Sequence, residues 1–475
     1  MSYTFDPTVL REYDIRGIIG ETLGPDDARA IGRGFGTLLR RDMGEGAVPM
    51  VAVGYDGRVS SPMLEHALVE GLTSSGCDVR RIGMGPTPML YYAEASTKDV
   101  HGGIQITGSH NPANYNGFKM VFRSRPFFGE DIQTLGRLAS AGDWLDGAGS
   151  VETVDVLDDY IDRMLTALDG IDTAALAGLS VAWDAGNGAA GPALEKLAAR
   201  LPGQHHLMFT EVDGNFPNHH PDPTVEANLE DLKATVAAKS CDFGIAFDGD
   251  GDRIGAIDGD GRVIWGDQLL MIYAEDLLAK LPNSTIIADV KASRALFDHV
   301  ETHGGKPLMW KTGHSLIKSK MKEVSSPLAG EMSGHVFFAD EYYGFDDALY
   351  AGVRLIAASA RLGKSVTELR GAMPAMLNTP ELRFQVDESR KFAAINEVKA
   401  RMTGDDVPAD VEVNATDGVR VTTPDGWWLL RASNTQDVLV ARAESETAEG
   451  LERLMGQIDE QLALSGLERG NSVGH

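Results

Sequence analysis

Leu179-Ser180-Val181-Ala182-Trp183 is an apolar run that leads into Asp184 and the turn Ala185-Gly186-Asn187-Gly188, and a helical pattern follows over residues 192–200. An apolar run too short for a helix, closed by a turn with glycine, has the pattern of a buried strand. The same succession occurs upstream, where Val51-Ala52-Val53-Gly54 leads to Asp56-Gly57-Arg58 and a helical pattern over 61–72. It occurs again downstream, where Ile286-Ile287-Ala288 leads to Asp289 and a helical run over 293–300. Strand, acidic turn and helix thus recur three times, which predicts three α/β units. The residues themselves are little alike, so the repeat is one of topology. The last quarter differs: 382–386, 411–414, 419–421, 427–430 and 438–443 are short strand patterns, with helical patterns at 389–402 and 447–464. That mixture predicts an α+β domain on an antiparallel sheet. The changes of pattern divide the chain at 1–152, 153–255, 256–369 and 370–475.

A chain of 475 residues exceeds one ordinary core, because domains mostly run to about 100–150 residues. No stretch approaches the ~20 uninterrupted apolar residues of a membrane span, so no membrane partner is expected. Met1-Ser2-Tyr3-Thr4-Phe5-Asp6 lacks the basic start and apolar run of a signal peptide. Cys77 and Cys241 are the two cysteines, which predicts no disulfide framework and a reducing, cytoplasmic setting. The formal net charge of −27 excludes general nucleic-acid binding, which needs a basic footprint. It also repels anions at long range. Any phosphate must therefore meet a local basic pocket, for which Arg16, Lys119, Arg253, Lys291 and Arg431 are candidates.

Four segments carry possible chemistry. Thr107-Gly108-Ser109-His110-Asn111-Pro112 follows a strand pattern. Its proline biases Asn111 away from helix, and its glycine permits close backbone approach. It reads as a serine hydroxyl held still for phosphoryl transfer, or as a plain polar turn. Asp248-Gly249-Asp250-Gly251-Asp252-Arg253 gathers three carboxylates within five residues. Like charges this close need an offsetting cation, and Mg²⁺ suits a few carboxylates plus a phosphate oxygen. An EF-hand is excluded, since Gly259 stands where its glutamate belongs. Gly330-Glu331-Met332-Ser333-Gly334-His335 could bond vicinal sugar hydroxyls, or be a solvated turn. Arg431-Ala432-Ser433-Asn434-Thr435 offers a guanidinium fork and small polar groups for a phosphate, or a simple hairpin loop.

These segments, together with Tyr13-Asp14-Ile15-Arg16-Gly17, Gly117-Phe118-Lys119 and Trp310-Lys311-Thr312-Gly313-His314-Ser315, resemble the α-D-phosphohexomutases, most closely the bacterial phosphomannomutase/phosphoglucomutase branch. The resemblance spans nearly the whole chain in the family's order. It implies three α/β domains with mixed sheets and a fourth with a four-stranded antiparallel sheet and two helices, around a central cleft. It implies that hexose 1-phosphate and hexose 6-phosphate, of mannose or glucose, are interconverted through a phosphoserine at Ser109 and a hexose 1,6-bisphosphate, which also serves as activator. His110, Lys119, Arg16 and Arg253 are the implied catalytic companions. Mg²⁺ would sit on Asp248, Asp250, Asp252 and the Ser109 phosphate. Glu331 and Ser333 would read sugar hydroxyls, and Arg431, Ser433, Asn434 and Thr435 would hold the phosphate that does not react. Tyr13, Lys291, His314 and His335 complete the substrate site. The partner is a small sugar phosphate, with the chain a monomer or weak dimer. One departure is Gln436-Asp437, where relatives often have Thr-Pro; an acid there could weaken phosphate affinity. The alternatives are a phosphoglucosamine mutase, a phosphohydrolase, or a sugar-phosphate-binding relative without catalysis.

Overall fold

The computed structural model describes residues 2–404, 408–434 and 436–470, with Glu388 described by its backbone alone. Among these residues there are four sheets, three mixed and one antiparallel. The first three share one plan. Met50–Tyr55, Asp78–Met84 and Val100–Ile106 are parallel strands joined by helices, and an antiparallel strand, Tyr115–Phe122, is added beside the last of them. Ser180–Asp184, Gln204–Met208, Phe243–Phe247 and Ile254–Asp258 repeat that order, as do Thr285–Asp289, Lys306–Trp310, Leu328–Gly330 and Val336–Phe338. In each unit the first parallel strand lies between the other two. The repeat seen in sequence is therefore real at the level of strand order.

The plan explains where the chemistry-bearing loops lie. Three of the four are the turn from the third parallel strand to its antiparallel neighbour: 107–114, 248–253 and 331–335. A parallel strand must be reached by a long crossover, whereas an antiparallel one follows a short turn. These three turns are thus the tight ones, held at both ends by a ladder.

The last sheet has six strands rather than four. The two-residue strand Leu377–Asn378 and the strand Leu382–Gln385 both pair with Val438–Ser445. Helices Glu388–Met402 and Ala448–Leu464 accompany it. Thr447 caps the second, accepting a hydrogen bond from Gly450 N at 3.1 Å.

Each expected break falls inside an element. Residue 152 lies in Val151–Thr153, an edge strand of the first sheet, and 255 lies in Ile254–Asp258. Residue 369 lies in the helix Val366–Gly371. Breaks placed where sequence character changes miss where pairing ends. We place them after Thr153, Ile264 and Gly371.

Packing is continuous across the first three units. Met89 and Leu90, Leu194 and Phe247, and Leu349 and Ile356 belong to one apolar core. The C-terminal unit has its own, built on Phe384, Val398, Trp428, Leu454 and Ile458. It meets the third unit through a small apolar cluster of Val290, Trp427 and Leu429 and through polar contacts: Arg420 donates to the Val290 and Ala292 carbonyls, both at 2.7 Å, and Arg442 to that of Lys291 at 2.6 Å.

Candidate active site

The four loops face one cleft of about 620 Å³, within the roughly 300–1,000 Å³ of small-molecule sites. Arg11, Arg16, Lys119, Arg253, Lys291, Arg383, Arg431 and Arg442 line it, against the carboxylates of Asp14, Glu226, Glu331 and Glu381. Cations outnumber acids two to one, so the basic pocket required by an acidic chain exists. Ser109, His110, Tyr13, His314, Ser333, His335, Ser433 and Asn434 also reach it. Thr435 lies outside the described residues.

Ser109 is held by its backbone. Its N–H donates to Thr107 Oγ1 at 2.8 Å, and its φ of +51° is left-handed. Two residues that sequence reading left without a role build this turn. Arg58 is buried and donates to four of the loop's carbonyls: Pro112 at 2.6 Å, Tyr115 at 3.0 Å, Ser109 at 2.7 Å and Asn111 at 2.6 Å. Asp56 accepts from Gly108 N at 3.1 Å and lies 3.2 Å from the Arg58 Nε. Gly108 is required because a Cβ there would sit 2.4 Å from the guanidinium carbon. The only signal in the sequence was a polar Asp-Gly-Arg turn at a strand end.

Ser109 Oγ lies 3.1 Å from Asp248 Oδ2 and 3.2 Å from His110 Nδ1. Asp248, Asp250 and Asp252 form a fully buried floor whose ligand oxygens all lie within 4.8 Å of one another. Lys119 Nζ bridges Asp250 at 2.8 Å and Asp252. Asp250 Oδ1 and Asp252 Oδ1 are buried with no hydrogen-bond partner. Burial, then the charges of Asp250 and Asp252, push the Asp248 carboxyl well above its ordinary range. Burial opposes ionisation of Asp250 too, yet the Lys119 ammonium holds it down. Two unpartnered oxygens on a buried, partly neutralised carboxylate floor fit a hard divalent cation.

The sugar loop is braced from behind. Glu331 Oε1 accepts from Gly313 N at 2.5 Å, and Ser333 Oγ lies 3.4 Å from Glu331 Oε2. Asp289, the acidic turn of the third unit, accepts from Met332 N at 3.2 Å and Thr312 Oγ1 at 3.1 Å. Burial raises its carboxyl to about 6, against the pull of Lys291. Asp346, missed in the sequence, lies 2.9 Å from both Lys318 Nζ and His335 Nδ1. His335 Nε2 in turn accepts from Arg253 Nε at 3.0 Å. Burial, then Lys318, holds His314 well below the usual imidazole range, so its ring is neutral.

At the far side, Arg431 Nε donates to Asp417 at 3.1 Å and Thr312 N to the same oxygen at 3.0 Å. Tyr13 OH donates to the Thr312 carbonyl at 2.9 Å and accepts from Asn434 Nδ2 at 2.5 Å. One phenol so joins the first, third and fourth units. Burial raises it to about 12, so it stays protonated and able to donate. Lys291 pairs with Glu381 at 3.0 Å. Asp437 does not line the cleft, and its carboxylate lies 3.8 Å from Lys391. The acid that replaces proline in this loop therefore does not face the phosphate cradle.

A buried hydroxyl beside a cation-ready floor, facing a carboxylate that can hold a polyol, is equipped to exchange a phosphoryl group with a sugar. Comparison with known proteins agrees. The family models for phosphoglucomutase/phosphomannomutase domains I, II and III (each alpha/beta/alpha) and for its C-terminal domain match residues 7–141, 158–261, 265–376 and 381–461. A phosphomannomutase/phosphoglucomutase of Pseudomonas aeruginosa is 44% identical over 461 residues, 97% of this chain and 96% of that one. A phosphoglucomutase of Neisseria gonorrhoeae is 41% identical over 452 residues, 94% of this chain and 95% of its own. A crystal structure of a family protein from Burkholderia thailandensis superposes with a TM-score of 0.89 at 42% identity, over 99% of this chain and 100% of its own. The protein is a phosphotransferase, a mutase that acts on hexose phosphates. The chain belongs to the phosphoglucomutase/phosphomannomutase family, in its bacterial branch.

Proposed function

We propose that the enzyme interconverts hexose 1-phosphate and hexose 6-phosphate by way of phosphorylated Ser109. The observation that carries this reading is the place of Ser109 Oγ, 3.1 Å from the aspartate floor and open to the cleft. The sugar's free hydroxyl attacks the phosphoryl group and gives its proton to a base, the bond to Ser109 Oγ breaks as that oxygen takes a proton from an acid, and a hexose 1,6-bisphosphate forms. After the bisphosphate reverses in the cleft, its other phosphate returns to Ser109. Asp248, Asp250 and Asp252 would hold Mg²⁺, which supplies positive charge to the transferring oxygens when bound. Two acids and a serine oxygen surround Lys119 and His110, which divide the remaining work. Burial opposes the charge on Lys119, but Asp250 and Asp252 hold its ammonium well above the usual lysine range. Its charge beside Asp250 and Asp252 favours the transferring phosphoryl group, and with His110 it is a candidate for the acid–base work. His110 Nδ1, 3.2 Å from Ser109 Oγ, is placed to give and take the proton of that oxygen.

Arg431, Ser433, Asn434 and Thr435 would hold the phosphate that is not reacting, with Arg16, Arg253 and Lys291 completing the cationic wall. Tyr13, His314 and His335 line the sugar's path. Glu331 and Ser333 would read O3 and O4, which change places when the hexose turns end for end. We also place the enzyme in the cytoplasm, where Cys77 and Cys241, both buried and unpaired, stay reduced. Among the described residues no helix is long and apolar enough to cross a membrane. The chain is proposed to act as a monomer or weak dimer.

Two results test this reading. Chelation should stop turnover and Mg²⁺ should restore it, while Asp250→Asn should weaken metal affinity and kcat together. Full activity after exhaustive EDTA treatment would reduce the aspartate loop to a turn. Mannose and glucose phosphates should both be substrates, with kcat/KM within about tenfold, or ~1.4 kcal/mol. They differ only at C2, and neither Glu331 nor Ser333 is assigned to O2. A thousandfold preference in parallel steady-state assays would require a residue that reads C2.

A further inference from the structure

Away from the cleft, the third unit brings two imidazoles and a carboxylate together. Glu275 lies on the helix Gly266–Lys280, His299 on the helix Arg294–Thr302, and His303 just beyond its end. None of the three lines the cleft. Glu275 Oε2 is 3.7 Å from His299 Nε2 and 3.9 Å from His303 Nε2. The two rings lie 4.1 Å apart between centroids, tilted by 38°. One ligand atom from each residue lies within 4.8 Å of the others.

The orientation of these atoms is informative. His303 Nδ1 lies 2.8 Å from the His299 carbonyl, which only accepts, so Nδ1 carries the hydrogen and the Nε2 lone pair faces Glu275. This is the tautomer that metal-bound histidines adopt, with the remote nitrogen tied to a carbonyl. The His299 Nε2 is buried without a hydrogen-bond partner. Lys364 Nζ takes the other oxygen, Glu275 Oε1, at 3.0 Å, which leaves Oε2 to the imidazoles. Three possible ligand atoms therefore converge on one point.

We infer that Glu275, His299 and His303 form a second metal site, for a borderline transition-metal ion such as Zn²⁺, which would tie the two helices together. Two histidines and a carboxylate are a common ligand set for zinc, with a fourth position left to water. Imidazole ligands select against Mg²⁺ and Ca²⁺, which prefer oxygen. At zinc–ligand distances of about 2.0–2.2 Å, tetrahedral ligands stand roughly 3.3 Å apart, so the two carboxylate–imidazole spacings need to close by only about half an ångström. The helix that carries Glu275 starts under the sugar loop, where a Cβ on Gly266 would lie 2.5 Å from the Glu331 carbonyl. The metal would thus brace the sugar loop's floor from about 14 Å away, nine residues along the helix.

The test uses the full-length enzyme, stripped by chelation and dialysed into excess Mg²⁺ to occupy the aspartate loop. Zn²⁺ uptake is followed by calorimetry and metal analysis. Wild type should bind one more equivalent than Glu275→Gln or His303→Gln. Zn²⁺ affinity should fall by more than about a hundredfold in each, since loss of even an outer partner costs about 10–100-fold. Asp250→Asn should retain the extra equivalent. X-ray absorption at the zinc edge should show imidazole scattering in wild type that His303→Gln loses. Equal Zn²⁺ uptake by wild type and both variants would overturn the site and leave a histidine–carboxylate ion pair. Loss of the extra equivalent in Asp250→Asn alone would also overturn it, by placing the zinc in the cleft.

Discussion

Ser109→Ala is expected to lower kcat by about four orders of magnitude or more, as removal of a nucleophile does in other enzymes, while the protein stays folded. Among the described residues the hydroxyl meets Asp248 and His110, and neither contact supports the core. The backbone makes the contrast sharper. At φ +51° any residue with a Cβ pays roughly 1–2 kcal/mol, so the native serine is strained where it works. Ser109→Gly should therefore be equally inactive yet more stable than Ser109→Ala by about 1 kcal/mol. Intact-mass analysis of active wild type should show one phosphate that maps to Ser109 and is missing from both variants. Turnover near wild type in Ser109→Ala would end the phosphoserine mechanism.

Arg58→Met should cost both activity and stability. The side chain is 1% exposed and donates to four carbonyls of the serine turn. Methionine keeps the length but leaves those carbonyls, and the buried Asp56, without their donor. Breaking such a buried network costs about 3–5 kcal/mol, or a Tm lower by roughly 6–20 °C for a unit of this size. Displacement of the nucleophile by even an ångström can cost about a hundredfold in rate. The two effects are separable: below its Tm, the variant should take up phosphate from hexose 1,6-bisphosphate more slowly than wild type. Arg58→Lys should recover charge without the planar fork, and so recover stability more than rate. A folded Arg58→Met enzyme with kcat within twofold of wild type would show that the turn holds its shape unaided.

Most residues on the cleft wall were legible as motifs because each loop is continuous in sequence and chemically dense. Asp248, Asp250 and Asp252 declare a cation site by crowding alone. What holds the loops was not legible. Asp56 and Asp417 are single acids in polar turns and Asp346 is one of an adjacent pair, and such acids are usually solvated. Here Asp56 and Asp346 are fully buried; Asp346 orients His335, which lines the cleft, and Asp56 holds Gly108, next to Ser109. The second expected break falls inside a unit for a related reason. The strand Ile254–Asp258 pairs back across a glycine-rich turn with Phe243–Phe247, and a change in sequence character does not mark where a ladder ends.

By itself the sequence determined the strand–turn–helix repeat, the antiparallel last domain, the family and the four chemical loops, since periodicity and local residue chemistry are written along the chain. The tertiary structure alone decided how those loops converge, which acids brace them and that a cationic cleft opens in a chain of net charge −27. The Tyr13 phenol bonds Asn434, 421 residues away, and Arg58 closes on Ser109 across 51. Contacts of that span leave no periodic trace, because only the folded packing brings the partners within hydrogen-bond reach.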